Sequence, residues 1–181
     1  MKRWTFRLIF VAVVLVLGGW LWLTFFPRSE KVIRKRLQEF ARTASFASNE
    51  GSLAKMDNSQ RLTAFCTDDV ELMLDVQGYP EVRVSGRDAF FQGAMTIRTH
   101  LSSVSIEFLD IVIALAPSNE SAVANLTAKV RVPGEKDMIP QELKMMLKKV
   151  DGKWLIRKVE TVKTLGQNMK SRIRKAPMAR A

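Results

Sequence analysis

The stretch VDGKWLIRKVETV, residues 150–162, decides the reading of the fold. Two apolar-rich runs meet at Asp151-Gly152, the strongest short-range signal for a two-residue hairpin. A two-residue loop pairs Val150 with Lys153, Lys149 with Trp154 and Leu147 with Ile156. Lys149 then lies over the Trp154 indole, a cation–π contact worth ~0.5–1 kcal/mol at an exposed site. The arms of this hairpin are 141–150 and 153–162.

Upstream the period stays that of strands. In 121–132, Ala122, Ala124, Leu126, Ala128, Val130 and Val132 face one way, and Ser121, Asn125, Thr127, Lys129 and Arg131 the other. PSNE, 117–120, is a turn, and 102–115 is a long apolar strand. Before it, SGRDAFFQGAMTIRTHL carries the stripe Phe90, Ala94, Ile97 and Leu101, with Ser85 as helix cap and Asp88 in the first turn. Residues 70–76 alternate as a half-buried strand, QGYP turns at 77–80, and 81–84 is a short strand. Residues 29–50 read as a helix with the stripe Ile33, Leu37, Phe40 and Ala44, and 51–69 as a second, shorter helix or helix pair ending before Asp68-Asp69. This order predicts an α+β fold, a curved antiparallel sheet with about three helices packed on it.

FCTDDVELML, VSGRDAFFQGA and QELKMMLKKVDGKWLIRKVE together resemble the nuclear transport factor 2-like (SnoaL-like) superfamily. The last is the most specific, because members often finish on a G-x-W-x-I strand, here Gly152, Trp154 and Ile156. The resemblance runs over 29–165 and implies a conical cavity between sheet and helices. It implies no activity, since fold and function separate freely.

The net charge is +11, which by itself points to nucleic acid. Its distribution points elsewhere. Residues 1–42 carry nine Lys/Arg against two Glu, a net of +7; residues 166–181 carry five Lys/Arg and no acid. The body between them is close to neutral, so a nucleic-acid partner is disfavoured. Charge flanking an apolar segment reports instead on a membrane surface. That segment is 8–26, LIFVAVVLVLGGWLWLTFF, without a charge and close to the ~20 residues that cross a bilayer. Trp4, Trp20 and Trp22 lie towards its ends, where indoles favour the interface. The domain plan is a basic leader at 1–7, a transmembrane helix at 8–26, the α+β domain at 29–165 and a basic tail at 166–181. The expected lipid partner is the cell membrane, crossed once. The short basic leader favours a cytoplasmic N-terminus and an extracytoplasmic domain, although the basic residues after Pro27 count the other way.

Candidate chemistry is sparse. One cysteine, Cys66, and one histidine, His100, argue against a disulfide or a zinc site, and no cofactor is implied. Cys66 reads as a small buried apolar residue. Asp110 shares, by strict alternation, the face of Val104, Ile106 and Phe108. It is therefore either a buried carboxylate in the cavity and a weak catalytic candidate, or a residue turned outward by a bulge. Tyr79, beside Pro80, and His100, at the end of its helix, complete the residues expected near a pocket. Arg87 is placed to pair with Asp68 or Asp69.

Two functional classes follow. One is a tethered binding or assembly domain that takes a hydrophobic small molecule in its pocket, or a protein partner or second copy on its sheet face. The other is a small pocket enzyme of isomerase, dehydratase or cyclase type acting on a hydrophobic substrate. An enzyme needs two or more polar groups converging in the cavity. Asp110 alone is offered with conviction, so the first class is preferred.

Overall fold

The structure, a computed structural model, describes residues 29–76, 80–134 and 139–162. Helix α1 covers 29–44, α2 Ser52–Thr63 and α3 Arg87–His100. The strands are β1 Cys66–Leu74, β2 Val82–Ser85, β3 Ser105–Leu115, β4 Ser121–Arg131, β5 Ile139–Val150 and β6 Lys153–Thr161. They form one curved sheet in the order β2-β1-β6-β5-β4-β3, with the three helices packed on it. This is the expected α+β architecture. Among the described residues no helix is long and apolar enough to cross a membrane. The segment 8–26, Trp4, Trp20 and Trp22, the leader and the tail lie outside the described residues.

The hairpin has the register its sequence dictates: Val150 opposite Lys153, Lys149 opposite Trp154, Leu147 opposite Ile156. Asp151 and Gly152 both take positive φ, 49° and 77°, the conformation of a type I′ turn that matches the twist of the flanking strands. A Cβ added at Gly152 would meet nothing within 4 Å. The demand for glycine there is conformational and not steric crowding. The Lys149 ammonium sits 6.0 Å from the Trp154 ring centroid.

Three expectations need correction. The sheet is not wholly antiparallel: β1 runs parallel to β6 while every other pair is antiparallel. The turns within 102–162 specify only local, antiparallel pairs, whereas β1 meets β6 from far along the chain. Second, α2 ends at Thr63 and β1 begins at Cys66, because Cys66 and Val70, both 1% exposed, belong to the sheet core. Third, Ser85 does not cap α3; it ends β2, and the cap position is Gly86 at φ 87°. Positive φ is a conformation that glycine takes without strain. The Arg87 guanidinium, one residue on, pairs with the Asp68 carboxylate at 2.8 Å and donates to the Cys66 carbonyl at 2.7 Å, tying the start of α3 to β1.

The core lies between α1 and the middle of the sheet. Ile33 and Leu37 are fully buried and meet Ala124, Met145, Leu147, Trp154 and Ile156 in one cluster. Phe40 stacks on Phe108, centroids 6.3 Å apart, and meets Phe65 edge-on at 5.9 Å. With this end of the sheet filled, the space left over lies at the other end, under α2 and α3.

Candidate functional site

That space is a cavity of about 370 Å³, at the small end of ligand pockets. The end of α1 and the bridge after it contribute Ala44 and Phe46, α3 contributes Ala94 and Ile97, and the sheet closes the floor with Ile106 and Val130. Every described lining residue is apolar except Arg98 and Gln141.

Arg98 is 2% exposed. It stands on α3 in phase with Ala94 and Leu101, so the helix carries it inward. Its Nη1 lies 2.7 Å from both carboxylate oxygens of Glu50, itself almost buried. Its Nη2 donates to the Thr43 carbonyl, and its Cζ is 4.9 Å from the Phe46 ring centroid. Glu50 also accepts from Asn58 Nδ2 at 2.6 Å. One ion pair therefore joins the end of α1, the α1–α2 loop, α2 and α3, and it forms one wall of the cavity. Buried charges require such complete pairing.

Gln141 is 8% exposed and leads the inward alternation of β5, followed by Leu143, Met145 and Leu147, which are all buried. It stands opposite Ala128 of β4. Neither Gln141 nor Arg98 was singled out in the sequence. The available signal was phase: each is a polar residue in step with an apolar stripe.

Asp110 lies elsewhere. β3 carries an extra residue between the pairs Leu109–Thr127 and Val112–Asn125, and Asp110 takes φ 51° there. This bulge shifts the alternation by one. Phe108 and Ile111 are buried, Asp110 is exposed, and Val112 is 65% exposed. Asp110 borders a shallow groove of about 270 Å³ on the outer face with Asn125, Thr127 and Glu142, and it does not line the cavity. His100 is exposed in the last turn of α3 and does not line it either. Tyr79 lies outside the described residues. Cys66 is buried, and burial pushes its thiol up to about 12 against the opposing fields of Arg87 and Arg36; a thiol held protonated is a poor nucleophile. Among the described residues no group of His, Cys, Asp and Glu could hold a metal ion. The outer face of the sheet is salted: Glu160 lies 3.2 Å from Lys144 and 3.0 Å from Lys158.

No family model matches the chain, and no curated protein matches it. Solved structures do. An NTF2-like protein with a cystatin-like fold from Novosphingobium aromaticivorans superposes with a TM-score of 0.59 at 15% identity, over 84% of this chain and 93% of that one. A candidate scytalone dehydratase from the same organism gives 0.55 at 19% identity, over 75% and 84%. The yeast UBP3-associated protein BRE5 gives 0.54 at 13% identity, over 75% and 97%. The fold is the NTF2-like, cystatin-like α+β fold. At these identities the likeness fixes the fold alone.

Proposed function

We propose that this chain is a membrane-tethered binding module whose cavity takes an apolar small molecule, without catalysing a reaction on it. The observation that carries this reading is the cavity wall: apolar throughout its described part, apart from one amide and one guanidinium already engaged by Glu50. Acid–base chemistry on a substrate needs at least two groups free to act on it. The alternative, a pocket enzyme of dehydratase, isomerase or cyclase type, draws support from the candidate scytalone dehydratase among the structural neighbours.

N-Phenyl-1-naphthylamine, an uncharged probe that brightens in apolar surroundings, tests the pocket. A truncation beginning at Ser29 is expected to be soluble and to bind it. Ala94→Phe, which projects a ring into the cavity, should weaken binding at least about tenfold while the thermal melt is retained. Absence of binding to the unsubstituted domain would sink the proposal. Equal binding by both forms would place the probe elsewhere.

The tether is carried by the apolar run 8–26. Full-length protein should sediment with membranes and resist both carbonate and high salt, while the truncation stays in the supernatant. Release by salt alone would show that the basic ends hold it by charge.

A further inference from the structure

The two polar side chains on the cavity wall differ in how far the protein satisfies them. Arg98 directs its donors at Glu50 and at the Thr43 carbonyl, with its face on Phe46. Gln141 is also buried, yet its amide makes one hydrogen bond among the described residues. That bond runs from Nε2 to the Glu142 carbonyl at 3.4 Å, beyond the usual range for N–H···O. The same carbonyl already accepts from the Val162 amide at 2.9 Å, so it does not depend on Gln141. A primary amide offers two donors and an acceptor, and buried groups of this kind are ordinarily satisfied. Gln141 thus holds an underused amide inside an apolar cavity.

We propose that Gln141 is the polar anchor of the ligand, and that the ligand is a neutral, mostly apolar molecule bearing one carbonyl or hydroxyl oxygen. This rests on the reading of the cavity as a small-molecule site. The oxygen accepts from Gln141 Nε2, and a hydroxyl can also donate to Oε1. A carboxylate ligand is disfavoured, because the guanidinium that would receive it is already held by Glu50. A cationic ligand would lose its hydration against apolar walls with no free carboxylate among the described lining residues to meet it. A site that hydrogen-bonds an oxygen discriminates against the analogue lacking it, since the buried amide is then left unpaired.

The test is a matched pair, 2-acetylnaphthalene and 2-isopropylnaphthalene, which are close in shape and differ in the ketone oxygen. Each is titrated by calorimetry into the full chain in lipid nanodiscs, with the heat of empty nanodiscs subtracted. The ketone should bind about fivefold or more tighter, the value of one ordinary hydrogen bond. In Gln141→Met and Gln141→Leu the preference should vanish through weaker ketone binding, with hydrocarbon affinity kept or improved. The melting temperature without ligand should hold or rise. Equal binding of both ligands by the parent leaves the cavity reading standing and overturns the role of Gln141. A ketone preference that survives both substitutions overturns it as well. A fall in melting temperature with equal loss of both ligands would show a structural role instead. If neither ligand binds the parent and Ala94→Phe changes nothing, the cavity reading itself fails and takes this inference with it.

Discussion

Trp154→Ala should lower the stability of the domain by about 3–5 kcal/mol, the range for removing a buried large aromatic. Trp154 is 3% exposed and stands on β6, which is flanked on both sides by β1 and β5. Its ring is covered by the cluster that α1 makes with the sheet, and no peripheral segment can fold away to relieve the void. A domain of this size holds only ~5–15 kcal/mol in all. The melting temperature should therefore fall by on the order of 10–20 °C, or the domain should not fold at all. Trp154→Phe keeps most of the ring volume and should cost clearly less. Urea and thermal unfolding of the three proteins decide the point. A loss under about 1 kcal/mol for Trp154→Ala would mean that the strand is less tightly enclosed than its burial implies.

Glu50→Ala should cost a similar amount, about 3–5 kcal/mol, for a different reason. It leaves the Arg98 guanidinium, 2% exposed, without its counter-charge. Arg98→Ala should cost as much, because Glu50 then keeps, among the described residues, only Asn58, and the Thr43 carbonyl loses its donor. The double replacement Glu50→Leu with Arg98→Met removes both charges and keeps volume. It should be more stable than either single variant, since a buried pair replaced by apolar residues is often close to neutral. A double-mutant cycle on unfolding free energies measures this directly. Additive losses would show that the two side chains act separately and that the link between α1, α2 and α3 lies elsewhere.

These two sites mark the limits of what the sequence discloses. The hairpin was legible to the residue, because a two-residue turn fixes register and Asp151-Gly152 specifies the turn. The alternation of β4 was equally legible, with Ala122, Ala124, Leu126 and Ala128 all buried on one face. Asp110 defeated the same logic. A single inserted residue reverses the phase of β3, and only the partner strand reveals the insertion. Arg98 was hidden by composition. On an amphipathic helix an arginine reads as solvent-facing, and its partner Glu50 closes the run 29–50 that reads as helix, whereas α1 ends at 44 and leaves Glu50 in the loop beyond it. Gln141 was in phase and readable in principle, but lone polar residues in strands attract no notice until their neighbours prove apolar. The β1–β6 pair left no trace in local turns, because nothing between Leu74 and Lys153 encodes it.

That parallel pair also sets the order in which the domain can be built. The four strands β3 to β6 follow one another through short connections and can zip up by local contacts. β1 must wait for β6, the last of the described strands to be made, since Cys66 is matched with Ile156 and Glu71 with Lys158. Until β6 is made, the edge of β1 that pairs with it has no partner. Closing so long a loop must be completed before its contacts stabilise anything, which raises contact order and slows folding. The nascent chain carries a sticky strand edge for as long as its C-terminal strand is missing, and such edges favour aggregation. Termination of translation upstream of Lys153 yields a chain that cannot close its sheet.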